Sequence, residues 1–295
     1  MFVNLKKISS GFSEKLRVVT YFVALIILLK KKKLLNILDR KTIECPYYFN
    51  NHFKIKGFKC RNGKLKKKDN SIVINTYNSF PNLKNCITHN QFKLNNKKLI
   101  KQWKLSYKLL IPPKSVDNKI KKLKLPQKYI SIHIRTTDRV IKLKSIFNKL
   151  YHKDLILNSQ LNYFEKNIVN FIKKYSKIKN VFISSDQKNL KNKIIKLLVE
   201  NKFNVYYNKV SYFKKFRTTS GDDFVLDLFC MAKSKLIFTT AGGGVPFTAE
   251  LISGRKLKIL SFINEFNIYY ILRLLFLFIY YLKRLKVKIS SSNRV

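Results

Sequence analysis

The chain has 295 residues, 46% of them hydrophobic, with 62 basic against 15 acidic side chains and a formal net charge of +47. This supports a sizeable core in one large domain or two modest ones, and the charge points to a polyanionic partner: nucleic acid, anionic lipid or a phosphorylated substrate. The charge is spread evenly, with 31 basic and 5 acidic residues in 1–128 and 31 and 10 in 129–295, so no basic tail or stripe and no nucleic-acid motif marks a specific nucleic-acid binder.

The same usage, rich in lysine, asparagine, isoleucine, phenylalanine and tyrosine and poor in alanine, glycine and proline, is expected of A/T-rich coding sequence, which explains the charge without a partner. Cys45, Cys60, Cys86 and Cys230 form no C-x-x-C pair and have no histidine at metal-ligand spacing. They read as free thiols in a reducing compartment, with Cys230 in the core.

In chain order, residues 1–40 form a basic and apolar N-terminal segment. Val18–Leu29 is a twelve-residue apolar run stopped by Lys30–Lys33. It is short of the roughly 20 residues that span a bilayer, and reads as a buried or interfacial helix with basic flanks. A short signal anchor is the alternative. Residues 41–128 form a second segment, with one short strand at Ser71–Asn75 and no clear period elsewhere. Pro112, Pro113 and Pro126 break the chain before residue 129, where a domain boundary falls.

From 129 to 262, strands and helices alternate. Strands are predicted at 129–135, 181–185, 204–207, 235–240 and 257–262, and helices at 154–177, 189–201, 222–232 and 246–253. Asp222 and Asp223 open the third of these helices, where acids complement the helix dipole. The alternation implies a right-handed parallel sheet of Rossmann type in the C-terminal half. Residues 263–295 carry a second apolar run, 268–282, interrupted by Arg273 and followed by lysines and arginines. It reads either as a helix packed on the protein or as one lying on an anionic membrane surface.

The chemistry gathers at strand ends. The first predicted strand runs into H-I-R-T-T-D, residues 133–138. In open α/β sheets ligands bind at the C-terminal ends of the strands. Only ten residues are arginine, so Arg135 stands out among the lysines, and its planar fork suits a phosphate as lysine does not. The alternative is a strand end capped by Thr and Asp, with Arg135 paired to Asp138. Asp186 closes the second strand in F-I-S-S-D; it suits a ribose or base hydrogen bond, or an N-cap for the following helix. Gly242, Gly243 and Gly244 follow a strand and open a helix, as a phosphate-binding turn does and as any tight turn does. The run matches neither G-x-G-x-x-G nor a Walker A motif.

The segments H-I-R-T-T-D at 133–138, F-I-S-S-D at 182–186 and D-F-V-L-D-L-F-C-M-A-K-S-K-L-I-F-T-T at 223–240, with a small-residue turn before a helix ending in Ala249-Glu250, resemble the fucosyltransferase superfamily of α1,6- and α1,2-fucosyltransferases and protein O-fucosyltransferases. The resemblance covers about 130 residues. It implies a GT-B-like α/β fold, with a smaller acceptor-side domain (41–128) before the nucleotide-sugar-binding domain (129–262), and an inverting transfer of fucose from GDP-fucose to a glycan or glycolipid without a metal or other cofactor. It implies that Arg135 grips the donor β-phosphate, and that His133 and Asp138 shape the same pocket, with Asp138 available as a base. Asp186 and Asp227 would hold the nucleotide side or its loops, with Thr240, Gly242 and Gly243 near the phosphates. Two features depart from the α1,6 branch: Thr136 replaces a second arginine, and residues 139–150 contain no acid. The rival readings are the same fold with another nucleotide sugar, and a non-catalytic basic protein that binds membrane or nucleic acid. With its basic and apolar ends the enzyme would sit at the inner, cytoplasmic face of a membrane.

Overall fold

Five strands that are apolar along most of their length pair in parallel to form the main sheet. The structure is a computed structural model and describes residues 2–5, 12–39, 41, 47–62, 96–135, 140–141, 156–210, 220–240 and 244–261, with 275, 278, 279 and 282. The expected strand 71–75, Cys45, Cys86, Asp138, Gly242, Gly243 and most of 268–282 lie outside the described residues.

The elements are β1 (Phe2–Asn4), α1 (Phe12–Leu28), β2 (Leu34–Leu38), α2 (Phe49–His52), β3 (Lys54–Ile55), β4 (Lys59–Asn62), α3 (Asn96–Ser106), β5 (Leu110–Ile111), α4 (Lys114–Lys122), β6 (Ile130–Ile134), β7 (Val140–Ile141), β8 (Ile156–Leu157), α5 (Asn158–Tyr175), β9 (Asn180–Ser185), α6 (Lys188–Glu200), β10 (Asn204–Tyr207), α7 (Gly221–Lys233), β11 (Leu236–Thr239), α8 (Gly244–Ser253) and β12 (Lys258–Ser261). They fall into two compact units. The first comprises residues 1–126, 208–234 and 244–257, and the second 127–207, 235–243 and 258–295. Helices α7 and α8, although they lie between strands of the main sheet in sequence, therefore belong to the first unit.

The second unit holds the sheet in the order β10-β9-β6-β11-β12, every pair parallel. A central parallel strand is flanked on both edges and covered on both faces, which demands near-continuous burial. Ile130, Ser131, Ile132 and Ile134 of β6 are all buried. Helices α5 and α6 send Phe164, Ile168, Ile172, Ile194 and Leu198 into the same core, at the i, i+4 spacing that keeps one helix face apolar. Phe171 meets Phe238 of β11 edge-on at 5.0 Å between centroids. Each such side chain contributes about 1.5–3 kcal/mol by leaving water.

The first unit has a smaller parallel sheet, ordered β1-β2-β4. Its central helix is α1. From Val18 to Ile26 every residue is buried, so the first apolar run of the sequence is covered by protein. The helix begins six residues ahead of that run, with Glu14 in its first turn, where a carboxylate meets the positive end of the dipole. Among the described residues no helix is long and apolar enough to cross a membrane. Trp103 of α3 donates its indole N–H to the Thr20 hydroxyl at 3.1 Å and the Arg17 carbonyl at 3.2 Å, tying α3 to α1.

Lys15 is buried at 0% side-chain exposure, and its ammonium pairs with Asp39 at 2.7 Å. It also donates to the Tyr47 carbonyl at 2.8 Å, while the second Asp39 oxygen accepts from the Phe49 N–H at 2.7 Å. This pair joins the first turn of α1, the end of β2 and the start of α2. A buried pair stabilises little against an apolar substitute, but breaking it strands a charge. Asp39→Ala is therefore expected to cost about 3–5 kcal/mol in urea unfolding. The double variant Lys15→Met/Asp39→Asn, which keeps an acceptor for Phe49, should recover much of that loss. Equal losses in the two proteins would show that the charge of Lys15 is not what the carboxylate stabilises.

Candidate functional site

The chain lays β6, β9 and β10 outward in one direction, then returns to place β11 against the other edge of β6. The topology therefore switches between β6 and β11. At such a point the two following loops diverge and leave a crevice outside the carboxyl ends of the strands, where ligands bind in sheets of this kind.

Arg135 follows β6 and Thr240 follows β11, and the two are stapled together across the switch. The Arg135 N–H donates to the Thr240 hydroxyl at 3.0 Å, and that hydroxyl donates to the Arg135 carbonyl at 3.2 Å. The Thr240 N–H donates to the His133 carbonyl at 3.1 Å, continuing the ladder one step past the strand. A valine at 240 would match the threonine in shape but make neither hydroxyl bond. Arg135 thus leaves the sheet with its backbone held on one side, which directs where its side chain starts.

His133 pairs in register with Ser184 of β9, and its Nδ1 lies 3.0 Å from the Ser184 hydroxyl. Burial first, and the Arg135 charge second, lower its pKa to about 3. The imidazole is neutral at any working pH. It can donate or accept a hydrogen bond at the site but adds no positive charge for a phosphate, so that charge falls to Arg135. Ser184 carries no signal of its own in the sequence, because only the parallel register makes it the neighbour of His133.

Asp186 follows β9, and its N–H donates to the Ile134 carbonyl at 3.2 Å, which brings it to the same edge of the sheet. It is not the N-cap of α6. That position belongs to Gln187, whose own N–H donates to the Ser185 hydroxyl at 3.0 Å. The second unit thus gathers His133, Arg135, Asp186 and Thr240 at the C-terminal strand ends. Asp227 belongs to α7 in the first unit, where it is buried. Its charge, after burial itself, pushes up the thiol of Cys230, a buried free cysteine as expected. Gly244, the described member of the glycine run, is the first residue of α8. Among the described residues no group of three His, Cys, Asp or Glu side chains is placed to hold a metal ion.

The first unit contains a second polar cluster at the start of α7. Ser220 caps the helix by accepting from the Asp223 N–H at 3.1 Å, and its hydroxyl donates to the Asp223 carboxylate at 2.8 Å. Asn208 donates to the other Asp223 oxygen at 2.7 Å. The Asp222 carboxylate lies 2.8 Å from Nδ1 of His52. The two acids that open this helix thus have specific partners beyond the dipole. His52, 170 positions from Asp222, carries no local signal in the sequence other than the rarity of histidine.

No protein-family model and no curated protein sequence matches the chain. Among solved structures it is similar to POFUT1 in complex with GDP, with a TM-score of 0.50 at 11% identity over 88% of this chain and 97% of that one. Fucosyltransferase NodZ from Bradyrhizobium gives a TM-score of 0.49 at 13% identity over 89% and 95% of the two chains. NodZ α1,6-fucosyltransferase soaked with GDP-fucose gives 0.47 at 13% over 85% and 92%. At 11% identity the likeness to POFUT1 is one of fold. The chain has an α/β fold of GT-B-like type with a Rossmann-type parallel sheet, as the sequence implied.

The depressed pKa of His133 has a consequence for stability. In the unfolded chain a histidine titrates near 6.5. Below that pH the unfolded state takes up a proton that the folded state refuses, so stability falls as the pH drops from about 6.5 toward 3. Between pH 7 and 5 the wild type should lose about 2 kcal/mol more than His133→Gln, which lacks the titrating group. Urea unfolding of both proteins across that range tests it; parallel curves would mean that the folded imidazole is protonated freely.

Proposed function

We propose that the chain is an inverting glycosyltransferase that moves fucose from GDP-fucose to a hydroxyl of a glycan or glycolipid. The observation that carries this reading is the stapling of Arg135 to Thr240 across the switch point of a parallel sheet. It holds the Arg135 backbone at the strand ends, where such folds bind phosphates, and a guanidinium on that residue suits a diphosphate. The likeness in fold to POFUT1 with GDP supports a nucleotide diphosphate as the ligand, and the H-x-R-x-x-D resemblance supports fucose as the sugar.

As the bond between the sugar and the diphosphate breaks, negative charge grows on the β-phosphate. Arg135 supplies a permanent charge and two parallel hydrogen bonds there. His133, being neutral, serves as a hydrogen-bonding wall beside it. Asp186 offers a carboxylate to the nucleoside side. Asp138, Gly242 and Gly243 are assigned to the same site by the resemblance alone, and so is Asp227. The reaction as read needs no metal, since arginine takes the charge that a divalent cation would otherwise neutralise.

The enzyme would work at the cytoplasmic face of a membrane. The +47 charge suits anionic lipid. Leu275, Phe278 and Leu282, three helical residues of the second apolar run, are exposed. Salt and carbonate washes of a membrane fraction should release the protein; retention through both would replace surface contact with a spanning anchor.

Release of GDP from GDP-fucose, with a panel of methyl hexosides as acceptors, tests the chemistry. Turnover should survive EDTA. Arg135→Lys keeps the charge but loses the fork, and should fall by about 10²–10³-fold, the scale for removing one transition-state donor, with its melting temperature intact. Arg135→Ala should fall further and bind GDP more weakly. Full turnover in Arg135→Lys would sink the assignment, an absolute need for Mg²⁺ or Mn²⁺ would overturn the metal-free site, and turnover of UDP- or dTDP-sugars in place of GDP-fucose would replace the donor.

A further inference from the structure

Strands β9 and β11 flank β6 in the second unit. At the last rung before the candidate site, their registers place Ser184 and Thr239 on either side of His133. Residues in register on neighbouring parallel strands share a sheet face, so the three polar side chains form one row. Ser184 is 1% exposed and Thr239 0%. One rung further into the sheet the neighbours of β6 are Phe182 and Ile237, both fully buried. A hydroxyl buried in such a place costs free energy unless it is hydrogen-bonded. What Ser184 offers over an alanine is its Oγ, which lies 3.0 Å from Nδ1 of His133.

That contact bears on which ring nitrogen carries the proton. The imidazole is neutral, so one nitrogen holds the N–H and the other a lone pair. The partner of one nitrogen sets the state of the other. A hydroxyl can donate or accept, so Ser184 alone permits both tautomers, and the ligand decides between them. His133 is partly exposed, and among the described residues its Nε2 has no hydrogen-bond partner. Arg135 comes two residues later, which returns to the same sheet face, and its charge acts on the ring. A group that Arg135 binds is anionic and rich in acceptors. Toward such a group a bare Nε2 would repel, whereas an Nε2–H would donate.

We propose that Ser184 is a positioning residue of this site: its hydroxyl donates to Nδ1 and fixes His133 as the Nε2–H tautomer, which donates to an acceptor atom of the bound nucleotide diphosphate. The proposal rests on the glycosyl-transfer reading above. It divides the work at the strand ends between two neighbours. Arg135 supplies the charge, and His133 supplies a directed hydrogen bond without charge. The ring takes up and releases no proton during the reaction, so its hydrogen bond is available at any pH at which the protein is folded. Ser184 acts on the ligand only through the ring.

The test uses the full-length protein labelled with ¹⁵N-histidine, with GDP as the ligand. Comparison with His133→Gln identifies the His133 signals among those of the four histidines. In the wild type they should show a bare Nδ1 and a protonated Nε2, and added GDP should shift the Nε2 proton. His133→Ala should weaken GDP binding by about 10–100-fold, the scale of a hydrogen bond to a charged group. Ser184→Ala should weaken it by about fivefold, the scale of one neutral hydrogen bond, and Ser184→Thr, which keeps the hydroxyl, should restore most of that. In the His133→Ala background Ser184→Ala should have no further effect, since its partner is gone. A protonated Nδ1 in the wild type overturns the proposal, and so does wild-type GDP affinity in Ser184→Ala. An equal loss from Ser184→Ala in both backgrounds also overturns it, because the serine would then act on the fold and not on the ring. In each of these cases a wild type that releases GDP from GDP-fucose leaves the glycosyl-transfer reading standing. A wild type that neither binds GDP nor releases it from GDP-fucose removes both.

Discussion

The parallel pairing of β6 along both its edges is the constraint from which the candidate site follows. A strand flanked by β9 and β11 and covered on both faces has no solvent side, so its residues are apolar or small up to the point where the sheet ends. Polar side chains become affordable only at the last turn of the pleat, which is where His133 and Arg135 stand. The same pairing sets the neighbours of each. Register with β9 gives His133 the Ser184 hydroxyl, and register with β11 carries the ladder on to Thr240. Desolvation at that point holds the imidazole neutral and leaves Arg135 as the cation.

Acidic side chains are scarce in this chain, and several of the described ones sit where a single carboxylate organises more than one element. Asp39 binds the Lys15 ammonium and the Phe49 N–H together, linking a strand end to two helices. Asp223 takes bonds from Asn208, Ser220 and, through its own N–H, returns one to the Ser220 hydroxyl. Asp222 orients His52. Exposed pairs such as Lys121–Asp117 and Lys196–Glu200 are of another kind; in water, and amid so many competing lysines, they add little.

Much of the second unit is legible in the amino-acid sequence. The strand at 204–207 is found where the alternation placed it, β6, β11 and β12 are one residue shorter at each end than expected, and β9 starts one residue earlier. The helix expected at 189–201 is found at Lys188–Glu200. Apolar periodicity is a local property, and in α/β proteins short buried strands and one-sided helices differ clearly in it. The first unit was less legible. Its strands β1, β3 and β5 are only two or three residues long, too short to show a period, and α1 is apolar around most of its girth, so its pattern reads equally as a core helix or a membrane one. Burial of Val18–Ile26 decided between them in favour of the core.

By itself the sequence determined that a run of alternating strands and helices would form a parallel sheet, and that Arg135, Asp186 and Thr240 would come at the ends of its strands. Both follow from spacing along the chain and from the rarity of arginine. Only the tertiary structure decided that β11 returns to the free edge of β6, which brings Thr240 to Arg135 across 105 positions. It alone assigned α7 and α8 to the first unit and set His52 against Asp222. Periodicity states which face of an element is buried but not against which partner. Strand order and long-range pairs emerge only when all the apolar faces and buried hydrogen-bonding groups are satisfied together.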